Sequence, residues 1–120
     1  MYNIVLYEDM KGNSDVKTFI RGLKERRNTS KEARVTFNKI VAYIDILQEM
    51  GTRVGEPVTK HLDGEIWELR PLSVRILYAY CDNDTYVLLH HFVKKTNKTP
   101  RNEIRKAITE LDDYMRRREK

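Results

Sequence analysis

Apolar residues recur along this chain with two periods. Val16, Phe19, Ile20 and Leu23 follow at spacings of three, one and three, which puts them on one face of a helix. Ala33, Phe37, Ile40, Val41, Ile44 and Leu47 form a longer stripe of the same kind, and Ile104, Ile108, Leu111 and Met115 a third. Elsewhere the pattern shortens into runs rich in β-branched and aromatic residues, which predict strands at Asn3–Tyr7, Glu65–Leu69, Val74–Cys81 and Tyr86–Val93.

The boundaries carry their own chemistry. Lys11–Ser14 reads as a turn, with Ser14 capping the first helix, which ends near Arg27 and Asn28. Thr29–Glu32 matches a capping box for the second helix, and Gly51 is placed to end it. The short connection between the two helices predicts a hairpin. Gly55-Glu56-Pro57 breaks the helical pattern. The turns at Arg70–Ser73 and Asp82–Asp84 are short enough to imply an antiparallel meander. Tyr86–Val93 is apolar on both faces, as in an interior strand. A basic loop, Lys94–Lys98, follows, and Thr99 (as N-cap) with Pro100 at the first helical position opens the last helix. The predicted order is β-α-α-β-β-β-α. It describes one α+β domain over 1–120, with the helices on one face of a small antiparallel sheet.

Composition narrows the class. The 120 residues are 40% hydrophobic and 34% charged, as expected of one soluble domain. No apolar run approaches the roughly 18 residues needed to span a bilayer. The first residues lack the pattern of a signal peptide. With a single cysteine, Cys81, these features lead us to expect a cytoplasmic protein without an intrachain disulfide. The net charge of +5 is unevenly placed: residues 1–93 hold thirteen basic and thirteen acidic side chains, whereas residues 94–120 hold ten basic and five acidic. A local cationic excess of this kind suits a polyanionic partner.

The candidate chemistry follows from what is present. His61, His90 and His91 are the only histidines, without metal-ligand spacing, and His90 and His91 should point to opposite faces of their strand. There is no phosphate-binding glycine loop, so neither a metal nor a cofactor is expected. What remains is a set of cations around the strand ends: Lys60, Arg70, Arg75, Lys94, Lys95, Lys98 and Arg101. Arg75 stands in VRILY, a run built for burial, where it needs an ion-pair partner such as Glu68 or an anionic ligand. Metal-free cleavage of RNA fits such a set. The 2′-OH attacks the adjacent phosphorus, cations stabilise the phosphorane, and a histidine or lysine moves protons.

Three segments sharpen this reading. Lys60–Arg70 (KHLDGEIWELR) resembles the K-x-L-x-G-x-[LI]-W-E-L-R run of RelE/HigB-like toxins, specifically their phage-derived branch. Val74–Tyr78 resembles the strand that follows it. Leu88–Pro100 (LLHHFVKKTNKTP) resembles the family's L-L-H-x-F-x-K-K-x-x-K-T-P signature, with Glu103, Ile104 and Ala107 in register behind it. The resemblance implies a RelE-like fold and the toxin of a type II toxin–antitoxin module, a ribosome-dependent mRNA endonuclease. It implies a helix-turn-helix antitoxin of the HigA kind as partner, with operator DNA bound only through that antitoxin. Matched by position, Arg70, Arg75, His90 and Lys94 are the implied catalytic residues, with His90 or a loop lysine as proton carrier. Lys60, Lys95, Lys98 and Arg101 are the implied RNA contacts. Lysines that some relatives carry on a sheet strand are absent here, where Ile66 and Glu68 stand. A gyrase-inhibiting toxin of the ParE type, and a nucleic-acid-binding regulator that does not cut, are the alternatives.

Overall fold

The computed structural model describes residues 1–118. Strand β1 (Asn3–Leu6) is followed by helices α1 (Asp15–Arg26) and α2 (Lys31–Met50), strands β2 (Thr59–Asp63), β3 (Ile66–Leu69), β4 (Val74–Cys81) and β5 (Thr85–Val93), and helix α3 (Arg101–Arg118). The strands form one sheet in the order β1-β5-β4-β3-β2. β1 runs parallel to β5, and every other pair is antiparallel. The α+β class, the helical hairpin and the interior place of β5 are as the pattern predicts.

Two features depart from it. The sheet is mixed, because β1 joins the free edge of β5. The helices also cover both faces rather than one. Val74, Ile76, Tyr78, Tyr86 and Leu88 pack under α1 and α2, against Val16, Leu23, Ile40 and Leu47. Leu77, Ala79, Val87 and Leu89 pack under α3, against Ala107 and Leu111. Alternating strand positions thus feed two cores, which is why β4 and β5 are apolar on both sides. Ala107 rather than Ile108 faces the sheet, and Ile108 is exposed. A short apolar stripe fixes a helix's orientation only to within about one residue.

Strand β2 lies outside the predicted elements. Its sequence, TKHLD, buries only Thr59, as befits a sheet edge, and the register with β3 is set by the Gly64 turn, where φ is +55°. The cap of α2 is Ser30, whose hydroxyl accepts from Ala33 N at 3.1 Å, while the Thr29 hydroxyl donates to the Arg26 carbonyl. Gly51 closes α2 at φ +64°, and a Cβ there would lie 2.6 Å from the Tyr86 hydroxyl, so only glycine fits.

Tyr7 ties the start of the chain to α3 by donating its hydroxyl hydrogen to Asp113 at 2.6 Å. Burial, and then Asp113 itself, pushes its phenol up to about 12 from the usual 10. A raised folded-state value means that the stabilisation is complete below pH 10 and disappears as the pH rises from 10 towards 12. Tyr7→Phe is therefore expected to flatten the alkaline limb of the stability curve, measured as urea midpoint between pH 9 and 12.

Candidate nucleic-acid groove

Antiparallel pairing gathers the site at one end of the sheet. β5 ends beside the start of β4, since Val74 pairs with Val93, and β4 starts beside the end of β3, since Leu69 pairs with Ile76. Arg70, Arg75 and Lys94, far apart in sequence, therefore converge. The loop from Lys94 to Pro100 then crosses this end to reach α3, anchored by a hydrogen bond from Lys94 N to the Ser73 carbonyl at 2.8 Å.

Two adjoining pockets flank that loop and share Asn97, Lys98 and Thr99. One, of about 210 Å³, brings in Arg75, Lys94, Lys95 and Glu103. The other, of about 270 Å³, brings in Lys60, His61, Glu68, Arg70 and Arg101. Seven of the eight residues expected from the sequence thus line one continuous groove, against two carboxylates, Glu68 and Glu103. Lys60, Lys94, Lys95 and Lys98 are exposed and make no ion pair among the described residues. Arg101 pairs with Asp63 at 3.1 Å across exposed surface, a contact of little energy.

The arginines are held from behind. Glu68 is 2% exposed; its Oε1 lies 3.4 Å from Arg70 Nε and 3.6 Å from Arg75 Nε, and its Oε2 accepts from the Thr99 hydroxyl. Arg70 Nε is close enough to pair with Glu68 but misaligned for a hydrogen bond, and it is buried without another acceptor. Arg75 Nη1 donates to the carbonyls of Leu72 and Val74, at 2.8 and 2.9 Å. Its Nη2 has no protein partner among the described residues, which leaves donors for an anion. Burial draws its guanidinium below the ordinary value, Glu68 opposes this, and Arg70 adds to it. Thr99 is not the N-cap that its sequence position predicts; its hydroxyl is spent on Glu68, and the Pro100 carbonyl accepts the first helical bond, from Ile104 N.

His90 is the expected residue that does not join the groove. β4 and β5 shift register here: Leu77 pairs with His90 but Tyr78 with Leu88, so Leu89 is an extra residue. Both Leu89 and His90 then lie on the α3 side, and His90 is fully buried. Its Nδ1 is 2.6 Å from Glu110 Oε1 and its Nε2 3.1 Å from Glu103 Oε1. Direct contact with RNA is closed to it in this arrangement, because α3 occupies the face that an open cleft would need. His91 points the other way, as the alternation predicts. It stacks on Phe19 with ring centroids 3.9 Å apart and bonds Asp15 at 2.6 Å. Burial works to raise the Asp15 carboxyl, but hydrogen bonds from the His91 ring and backbone outweigh it and hold the group below the usual carboxylate range.

The sequence pattern assigns no site role to Glu110, nor to Glu103 beyond its place behind the signature. Their seven-residue spacing puts them on one face of α3, beside Ala107, and a pair of acids flanking a core stripe is the signal that could have revealed them. Among the described residues, no group of three or more His, Cys, Asp or Glu side chains is placed to hold a metal ion. Nor is any helix of the described residues long and apolar enough to cross a membrane.

A family model described as Phage derived protein Gp49-like (DUF891) matches residues 24–112, most of the chain and all of the groove. The chain belongs to this family. Gp49-like proteins are a RelE/HigB-like toxin family, which agrees with the resemblance carried by the WELR and KKTNKTP segments. No curated protein matches the chain.

Proposed function

We propose that this Gp49-like protein is the toxin of a type II toxin–antitoxin module and that it cleaves mRNA held on the ribosome, without a metal, by attack of the 2′-OH on the adjacent phosphodiester. The observation that carries this is the convergence of Arg70, Arg75, Lys60, Lys94, Lys95, Lys98 and Arg101 on one groove at the end of the sheet. Preorganised cations in a partly buried site stabilise the charge that develops on a phosphorane. In this reading Arg75 and Arg70 face the scissile phosphate, Lys94 serves the leaving oxygen, and the outer lysines and Arg101 hold the flanking backbone. A small helix-turn-helix antitoxin neutralises the protein and carries operator binding.

Induced expression is expected to arrest growth and to produce new 5′ ends in a translated message but not in the same message lacking its start codon. Primer extension reads this directly. Intact messages together with a DNA-damage response would favour gyrase inhibition instead, and salt-sensitive RNA binding without cutting would favour a regulator.

A further inference from the structure

We infer that Glu103 is the proton acceptor of the groove, and that buried His90, backed by Glu110, orients this carboxylate. The inference rests on the RNA-cleaving reading above. Around Arg75, the pocket is lined by cations, hydroxyls, an amide and apolar groups; among the described residues Glu103 is its only carboxylate, and no histidine reaches it. Glu103 Oε1 is fixed by His90 Nε2 at 3.1 Å, while Oε2 has no partner among the described residues. The carboxylate is about a quarter exposed, so one oxygen is held and the other is open to a ligand.

The chain does not stop at His90. Glu110, bonded to the other ring nitrogen, lines a separate open pocket of about 520 Å³ with Tyr7, Asp15, His91 and Lys106. Glu103, His90 and Glu110 therefore form a hydrogen-bonded row from the groove to this second pocket. Ionised carboxylates only accept hydrogen bonds, so with both glutamates ionised both ring nitrogens must carry hydrogen. The bond from Nε2 to Oε1 orients the Glu103 carboxylate before the reaction. Arg75 on β4 and Lys94, Lys95 and Lys98 in the loop share this pocket with it, and Glu68, Lys60, Arg70 and Arg101 line the adjoining part of the groove.

In the reaction, Glu103 Oε2 takes the 2′-OH proton as the 2′-oxygen bonds phosphorus. The bond from phosphorus to the 5′-oxygen breaks, and that oxygen takes a proton from the Lys94 ammonium. The products are a 2′,3′-cyclic phosphate and a 5′-hydroxyl. Glu103 Oε2 then gives its proton to water in the groove, and water reprotonates Lys94.

The test is single-turnover cleavage on mRNA-programmed ribosomes across pH, with the ring nitrogens of His90 followed by ¹⁵N NMR. Glu103→Gln is expected to cut about 10²–10⁴-fold more slowly, to lose the acid limb of the pH profile and to bind programmed ribosomes as wild type does. Formate is expected to restore part of the activity of Glu103→Ala, which a purely structural defect would not allow. Glu110→Gln, which removes the carboxylate behind His90, should move the acid limb and lower the plateau rate several-fold. In the wild type, both His90 nitrogens should be protonated at the assay pH. Cleavage by Glu103→Gln within a few-fold of wild type overturns the inference, as does a bare Nε2 on His90, which would place the proton on Glu103. A wild type that never cuts programmed mRNA overturns the proposed function itself, a result distinct from either.

Discussion

The Arg75→Ala protein is expected to bind programmed ribosomes and to cut mRNA about 10²–10³-fold more slowly, a loss of about 2.7–4 kcal/mol of transition-state stabilisation. The size follows from burial. Arg75 is 6% exposed, fixed through Nη1 to two backbone carbonyls, and lines the groove, so its charge acts at short range and needs no reorganisation. Lys95, by contrast, is an exposed loop residue in high dielectric. Lys95→Ala should weaken binding modestly and lower its salt dependence without changing the rate of the bound complex. Alanine at Arg75 also removes one counter-charge of Glu68. Arg75→Lys keeps that charge but loses the planar fork, and it should fold normally yet remain slow. Full activity in Arg75→Lys and Arg75→Ala alike would remove Arg75 from the reaction.

The second large effect is on stability. Glu68→Ala is expected to cost about 3–5 kcal/mol, because it leaves the nearly buried Arg75 without its carboxylate. The same change releases the Thr99 hydroxyl and with it the loop from Lys94 to Pro100. Thr99→Val breaks only the latter contact and should cost less, about 1.5–3 kcal/mol for one hydrogen bond to a charged group. Urea denaturation of the three proteins measures both. A Glu68→Ala protein within about 1 kcal/mol of wild type would mean that the arginines do not depend on this carboxylate. The clamp also bears on function, since the groove is rigid only while Glu68 joins β3 to the loop.

Much of this was legible in the chain. The periodicities of residues 16–23 and 33–47 fix two helices because each stripe has one core to face. The apolar run of β5 declares an interior strand because both of its faces are covered. Arg75 announced itself as a charge inside a buried pattern, and Glu68 was its nearest candidate partner. What escaped was whatever depends on contacts between distant segments. β2 carries almost no apolar signal, since an edge strand with one covered residue needs none. Thr99 has the sequence of a helix cap, but a buried carboxylate thirty-one residues away takes its hydroxyl. Ser30 and Thr29 are equally good caps by composition, and backbone geometry chose Ser30. The displacement of His90 required two facts that no local pattern holds: the extra residue at Leu89, and α3 lying on the face opposite the hairpin.

If the groove cleaves RNA by attack of the RNA's own 2′-hydroxyl, the chemical ends of the product carry the signature. Purified protein is mixed with ribosomes programmed with a defined message, and the ends of each fragment are analysed. Cuts in the ribosome-held message should leave a 2′,3′-cyclic phosphate or its 3′-phosphate on one fragment and a 5′-hydroxyl on the other. Message left intact, or cut to leave a 5′-phosphate and a 3′-hydroxyl, would contradict this reaction.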